Sequence, residues 1–250
     1  MERRRTALRR IADLGLITLL VAYVNVAVAS MWTTPWLLAL AFTLPPLVLG
    51  LRLGDPRRAL AFAATGLVLG PLTEISCILS GLWTYGETGG LPLVPAWIFP
   101  LWSCFPAALW IVVRSVLGRA PRSVCQPLHL TLILLGLAIE VFLFAWLGHS
   151  TPLTLAAVLP LCALVLLLVR RLEAAVIFLA GGLIGPLCES LPITAGAWVY
   201  VQPEILGMPA WLPVGYSLFS LFTALAAEQI GALALQPRRS PALDPSPADG

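Results

Sequence analysis

Three glutamates, Glu74, Glu140 and Glu189, lie deep inside apolar stretches of this chain. Ionisable side chains at such positions are costly to insert into a membrane, so they usually face the interior of a helix bundle. Low-dielectric surroundings favour a neutral carboxyl group, which can act as a general acid. A structural role, in which each glutamate hydrogen-bonds a neighbouring helix, fits the same positions. Asp13 and Glu228 lie nearer the ends of their stretches, where we expect them to reach water.

Glu74 and Glu189 belong to an internal repeat. Each follows a Gly-Pro-Leu sequence and precedes Gly-x-Trp-x-Tyr, after which a Gly-x-Pro occurs. A repeat of this kind predicts two similar structural halves. Seven identical pairs share an offset of 115 residues: Gly70/Gly185, Pro71/Pro186, Leu72/Leu187, Glu74/Glu189, Gly81/Gly196, Trp83/Trp198 and Tyr85/Tyr200. The same offset matches Glu140 with Asn25, so we expect these four polar side chains around one cavity near the axis between the halves.

The aromatic residues of the repeat have two interpretations. Trp and Tyr are common at membrane interfaces, where they anchor a helix. In register with the glutamates they also fit the mouth of a cavity, where their π faces would stabilise a cationic ligand or transition state. The residues predicted to bind substrate, besides Asn25, are Trp83, Tyr85, Trp198 and Tyr200.

Membrane-spanning helices must position these side chains. Of the 250 residues, 59% are hydrophobic and 11% charged, and the mean hydropathy is +0.93. Soluble domains carry about 25% charged residues, and a helix of about 20 apolar residues crosses a bilayer. The sequence therefore predicts an all-α polytopic membrane protein with about eight transmembrane helices, at residues 11–30, 35–53, 57–82, 96–117, 127–148, 152–170, 172–198 and 212–235.

The repeat groups these spans into two parallel four-helix units, at 11–118 and 126–235. An even number of spans in each unit gives both halves the same orientation, with a pseudo-two-fold axis along the membrane normal. A basic segment, 1–10, precedes them, and the tail 236–250, rich in Pro, Ser and Asp, is predicted to be disordered.

The basic residues predict the orientation. All 15 are arginines, and their five clusters alternate with connections that carry no basic residue. This pattern follows the positive-inside rule and places both termini in the cytoplasm. A composition rich in Arg, Ala, Leu and Pro and without Lys indicates a bacterial inner membrane. Because orientation and contact with anionic membrane lipid explain the net charge of +3, no nucleic-acid partner is predicted.

No metal site and no cofactor are predicted. The five cysteines show no C-x-x-C spacing and are interpreted as small buried apolar residues. His129 and His149 lie at opposite ends of one predicted span, too far apart to share a metal ion.

The motif Glu74-x6-Gly81-x-Trp83-x-Tyr85 with its following Gly-x-Pro, and its second copy from Glu189, resembles membrane carotenoid end-group hydratases and related carotenoid-biosynthesis proteins. The resemblance covers roughly 70 residues in two blocks. It implies acid-initiated chemistry on an isoprenoid double bond, with Glu74 or Glu189 as the proton donor. The four repeated aromatic residues would shelter the carbocation, and water addition or cyclisation would follow without a redox cofactor.

Two other functions fit the same residues. A proton-coupled small-molecule transporter also uses carboxyl groups in the middle of the membrane. A non-catalytic membrane assembly partner would use them only to hold its helices together. The sequence leaves these alternatives, the substrate and the oligomeric state open.

Overall fold

The computed structural model describes residues 2–119 and 127–235. The predicted disordered tail, 236–250, lies outside these ranges. Within them the first half contains α1 (Glu2–Met31), α2 (Pro35–Ala41), α3 (Leu44–Leu53), α4 (Pro56–Leu79), β1 (Trp83–Tyr85) and α5 (Ile98–Leu117). The second half contains α6 (Pro127–Leu147), α7 (Thr151–Val169), α8 (Leu172–Thr194), β2 (Trp198–Tyr200) and α9 (Leu212–Leu235).

The helices confirm an all-α, multi-pass membrane protein. Among the described residues, seven helical stretches are long and apolar enough to cross a bilayer: Thr6–Met31, Pro35–Leu53, Pro56–Leu79, Ile98–Leu117, His129–Leu147, Thr151–Val169 and Leu172–Thr194. The second of these consists of two helices, α2 and α3, rather than the single helix that the sequence predicts. Pro45 and Pro46 cause the break, because neither has an amide hydrogen to continue α2, while both fit the first turn of α3.

The remaining predicted span, α9, lies at the centre of the bundle. Its polar side chains are all buried: Ser217, Ser220, Thr223, Glu228 and Gln229. It packs against α4, α6 and α8, while its counterpart α5 packs against α1, α3, α4 and α8. Protein rather than lipid therefore surrounds α9. Ser217 and Thr223 also donate to backbone carbonyls one turn earlier, at 3.0 and 2.8 Å, so their polarity is satisfied within the helix.

The two halves meet in a short antiparallel strand pair. Trp83 pairs with Tyr200, Thr84 with Val199, and Tyr85 with Trp198. The central pair, Thr84 and Val199, is separated by the repeat offset of 115 residues. Each strand thus pairs with its own counterpart, as a pseudo-two-fold axis between the strands requires.

A tight turn brings each strand back over the bundle. Gly81 and Gly196, between helix and strand, have φ angles of 74° and 84°. Other residues rarely adopt this left-handed conformation, so glycine is required there.

The end of the bundle that carries β1 and β2 is called the strand end below. In its loops, the exposed Glu204 accepts hydrogen bonds from the Ala210 amide (2.9 Å) and the Thr151 hydroxyl (2.7 Å), which hold the pKa of Glu204 below its usual value.

Ion pairs concentrate at the opposite end, called the basic end below. Asp13 is only 1% exposed and is bound by Arg52 and by Arg114, the latter at 2.8 Å. Glu228 is equally buried and faces Arg171 at 3.3 Å. The expectation that Asp13 and Glu228 reach water is therefore wrong. Neighbouring arginines, rather than solvent, stabilise both carboxyl groups.

Candidate functional site

A cavity of about 140 Å³ lies inside the bundle, bounded by α1, α4, α5, α6, α8, α9 and the loops and strands above them. Glu74, Glu140 and Glu189 all line it. Most of the remaining lining is apolar or aromatic, and its Trp and Tyr residues are Trp83, Tyr85, Trp97, Trp102, Trp198, Tyr200, Trp211 and Tyr216. The structure thus brings together the three glutamates and all four aromatic residues that the repeat singles out.

A glycine allows close packing one turn before each repeated glutamate. Gly70 and Gly185 lie one turn before Glu74 and Glu189, and an aromatic ring packs directly on each glycine. A Cβ at Gly70 would lie 2.1 Å from Trp102, and one at Gly185 would lie 2.2 Å from the ring of Tyr216. The absence of a side chain therefore allows a ring to lie against the helix beside the carboxyl group.

Glu74 is held by two aromatic donors. The Tyr85 hydroxyl donates to Oε2 at 2.9 Å, and the Trp102 indole Nε1 donates to Oε1 at 3.1 Å. Tyr85 reaches Glu74 from β1, and Trp102 reaches it from α5. The carboxyl group therefore joins three successive elements of the first half.

Glu189 is held in the same way in the second half. The Tyr200 hydroxyl donates to Oε2 at 2.6 Å, and the Tyr216 hydroxyl donates to Oε1. The strand supplies one donor and the last helix the other, as at Glu74. The chemical difference lies in the second donor, which is the indole N–H of Trp102 in the first half and the phenol hydroxyl of Tyr216 in the second half.

Ring contacts connect the two carboxyl groups across the axis. Trp102 stacks on Tyr216, with centroids 6.3 Å apart and planes 19° from parallel. Trp83 lies 5.4 Å from Tyr200, and Tyr85 lies 5.9 Å from Trp198. These six rings, with Glu74 and Glu189, are called the aromatic cage below. Their π faces and the two carboxyl groups can stabilise a positive charge inside the cage.

Trp102 and Tyr216 were not predicted from the sequence. They occupy equivalent places in the structure, yet they differ in type and are 114 rather than 115 residues apart. A search for identical residues at one fixed offset passes over such a pair. The signal that could have found them is an aromatic residue near the start of the last helix of each half.

Glu140 differs from the other two glutamates. It is 1% exposed, and neither of its carboxyl oxygens has a hydrogen-bond partner in the part of the chain that the structure describes. Its matched residue, Asn25, does not lie on the cavity, which corrects the expectation that Asn25 contacts substrate. The Asn25 amide instead donates to the Leu187 carbonyl (2.9 Å) and accepts from the Leu191 amide (3.3 Å). In a regular helix the Leu191 amide donates to the Leu187 carbonyl. The Asn25 side chain contacts both of these groups and so binds α1 to α8.

The cavity is covered by protein at both ends of the bundle. A buried apolar cluster that includes Ile17, Phe62, Trp110 and Ile111 lies between the cavity and the basic end. The strand pair and Trp97 cover it at the strand end. In the described ranges no three His, Cys, Asp or Glu side chains are arranged to hold a metal ion. The arrangement is therefore a mainly apolar site that is covered at both ends of the bundle but partly open, with carboxyl groups as its reactive side chains.

Comparison with known proteins finds structures of similar fold but assigns the chain to no family. No protein-family model matches the sequence, and no curated protein matches it. Two crystal structures of MvINS, a mycobacterial Insig homologue from Mycobacterium vanbaalenii, resemble it, one of them a cross-linked trimer. Each has a TM-score of 0.58 and 21% sequence identity, over 74% of this chain and 97% of that one. At this identity the likeness concerns the fold alone, and the resemblance to carotenoid hydratases stays a prediction.

Proposed function

We propose that this protein is a membrane-embedded enzyme that protonates a double bond of an isoprenoid or carotenoid-like lipid and directs the cation to hydration or cyclisation. The observation that carries the proposal is the pair of hydrogen-bonded glutamates, Glu74 and Glu189, inside an apolar aromatic cage. An apolar substrate fits the walls of the cavity, and its cationic intermediate is stabilised by π faces and by carboxylate charge.

Glu189 is the better proton donor of the two. An indole N–H can only donate, so Trp102 requires Oε1 of Glu74 to remain an acceptor, and Glu74 can carry a proton only on Oε2, beside Tyr85. Both partners of Glu189, Tyr200 and Tyr216, are hydroxyl groups, which can donate or accept, so either oxygen of Glu189 can carry the proton. The surroundings of Glu189 therefore accommodate a protonated and a deprotonated carboxyl group, as a general acid requires. Glu74 then serves as the carboxylate that stabilises the cation.

The proposed hydration needs no redox change. The Glu189 carboxyl proton moves to one carbon of the double bond, and its other carbon becomes a carbocation. The oxygen of a water molecule bonds to that carbon, and one of its protons returns to the Glu189 carboxylate. In the cyclisation branch, a second double bond of the same substrate attacks the cation, and a proton is then lost from carbon to the carboxylate.

The closed ends of the cavity favour this proposal over a transporter. A transporter must open its site to water on each side of the membrane in turn. Here an apolar cluster with Phe62 and Ile111 lies on one side of the cavity, and the paired strands lie on the other. An apolar substrate that enters from the lipid needs neither aqueous opening.

A non-catalytic membrane partner is the second candidate. The observation that favours it is that Glu74 and Glu189 each join three elements by hydrogen bonds. In that case the two carboxyl groups stabilise the bundle and have no substrate.

Co-expression with lycopene tests the proposal. We expect the wild-type protein to convert lycopene into a hydroxylated or cyclised pigment, separable by chromatography. Glu189→Gln should lower conversion by about 100-fold or more, because the general acid is lost. Glu74→Gln should lower it less, because only charge stabilisation is lost. Glu87→Gln, on an exposed loop, is the matched control and should convert lycopene normally.

Folded yield, measured by fluorescence-detected gel filtration, separates the two candidates. Unchanged lycopene in cells that contain folded wild-type protein would contradict the lycopene-type reaction. If Glu189→Gln lowers folded yield and no product is found in any sample, the structural role is favoured instead.

A further inference from the structure

Neither carboxyl oxygen of Glu140 makes a hydrogen bond of normal geometry to the described part of the chain, although the Phe219 backbone amide lies near this group. Glu74 and Glu189 each accept two hydrogen bonds, whereas both oxygens of Glu140 have no partner within the described ranges. Leaving a buried polar group without a hydrogen bond is unfavourable, and more so for a charged one. The Glu140 side chain is 1% exposed and lines the cavity, so a molecule bound in the cavity can supply the missing hydrogen bond.

Glu140 does not repeat the helix contact that Asn25 makes in the other half. In the first half, Asn25 binds the Leu187 carbonyl and the Leu191 amide of α8. The matching residues of α4 are Leu72 and Ser76, by the repeat offset of 115. There the Ser76 hydroxyl donates to the Leu72 carbonyl at 2.8 Å. Glu140 makes no hydrogen bond to either of these α4 groups.

A second group on the cavity wall shows the same asymmetry. The indole N–H of Trp97 is buried and, among the described residues, has no acceptor. Trp211, 114 residues later, occupies the corresponding place in the second half and donates to the Gly148 carbonyl at 3.0 Å. The cavity therefore contains one unpaired donor, at Trp97, and one unpaired carboxyl group, at Glu140, and in both cases the counterpart is hydrogen-bonded.

We infer that the cavity binds a lipid alcohol, whose apolar chain lies along the aromatic cage and whose hydroxyl group hydrogen-bonds Glu140. A hydroxyl group both donates and accepts, so this single group type can satisfy a carboxyl oxygen and an indole N–H. An ammonium group has no lone pair for Trp97, and an acidic lipid would meet three carboxyl groups. The isoprenoid class of the chain rests on the proposed function, in which hydration places a hydroxyl group on the lipid.

Binding to the full-length protein in lipid nanodiscs tests the inference without turnover. Five tryptophans line the cavity, so quenching of intrinsic fluorescence can report occupancy. The probes are farnesol, its methyl ether, which has no donor hydrogen, and farnesene, which has no oxygen. We expect farnesol to bind at least about tenfold more tightly than the ether or the hydrocarbon, as loss of a hydrogen bond to a buried carboxyl group implies.

The Glu140→Leu variant should abolish the preference for the alcohol and leave the affinity for farnesene within about twofold. Glu87→Gln, on an exposed loop, should keep the wild-type preference. If Glu140→Leu does not fold, the comparison of farnesol with its methyl ether in the wild type decides alone.

Equal affinity for farnesol and its ether would overturn the inference, as would a preference for farnesol that survives Glu140→Leu. Tighter binding of farnesylamine than of farnesol would overturn it in favour of a cationic ligand. The proposed reaction fails separately. Wild-type protein that prefers farnesol but leaves lycopene unchanged contradicts the reaction only, and protein that converts lycopene without preferring the alcohol contradicts this inference only.

Discussion

The glycine before each repeated glutamate has a packing role that a single methyl group should reveal. In Gly185→Ala the new Cβ would lie 2.2 Å from the ring of Tyr216, whose hydroxyl binds Glu189. Either the ring or α8 must move, so we expect a loss of about 1–3 kcal/mol in unfolding free energy, as overpacked cores show. The measurement is the midpoint of thermal unfolding in detergent, together with lycopene conversion.

Gly15→Ala is the matched control for this substitution. Gly15 is also inside a helix, but an added Cβ would have no neighbour within 4 Å. Alanine is the better helix former by about 1 kcal/mol, so this variant should be as stable as the wild type or slightly more stable. Wild-type stability in Gly185→Ala would show that Tyr216 has room to move, contrary to the packing described here.

At the scale of residues, identity at one offset predicted part of the site. Glu74 and Glu189 are repeated in type and register, and so are their strand partners Tyr85 and Tyr200. The second partners, Trp102 and Tyr216, were missed because different residue types serve as donors at positions shifted by one. The role of Asn25 was also not predictable, since an offset does not show whether an amide faces a cavity or a neighbouring helix.

At the scale of elements, Asp13 connects α1 to two other helices. Its carboxylate binds Arg52 of α3 and Arg114 of α5. In Asp13→Asn both arginines lose their anionic partner at a site where Asp13 is almost fully buried. Breaking a fully buried pair costs about 3–5 kcal/mol. Because Arg52 is about one-third exposed, we expect a smaller loss, about 2 kcal/mol, measured by thermal unfolding at low and high salt.

Asp55→Asn provides the control for charge alone. Asp55 caps α4 by accepting from the amides of Arg57 and Arg58 at 2.9 and 3.0 Å. Asparagine is an equally good cap, so the same chemical change should be nearly neutral there. Equal destabilisation by both substitutions would contradict a specific role for the Asp13 ion pairs.

The sequence predicted the number and order of the spans better than their interruptions. Hydrophobic length locates each crossing, because the bilayer sets it. The break between α2 and α3 follows from Pro45 and Pro46, although length alone predicts one continuous helix. Strands β1 and β2 were not predicted, since each has three residues and its partner lies in the other half.

At the scale of the whole molecule, the arginine pattern predicts which end faces the cytoplasm. Arg57→Cys places an exposed thiol at the start of α4, and Glu87→Cys places one in the loop after β1, at the strand end. If the positive-inside rule holds, a membrane-impermeant maleimide should label position 87 in spheroplasts and position 57 only after permeabilisation. The unsubstituted protein, whose native cysteines in the described ranges are mostly buried, is the control. Labelling in the reverse order would contradict the predicted orientation.

The pairing of β1 with β2 has a consequence for the origin of the protein. A half-length ancestor would carry one such strand with an unpaired edge, and two identical copies could pair those edges around a true two-fold axis. Fusion of the copies into one chain removes the need for identical halves. One copy is then free to specialise for structure, as Asn25 has in binding α8, and the other for the ligand recognition proposed for Glu140.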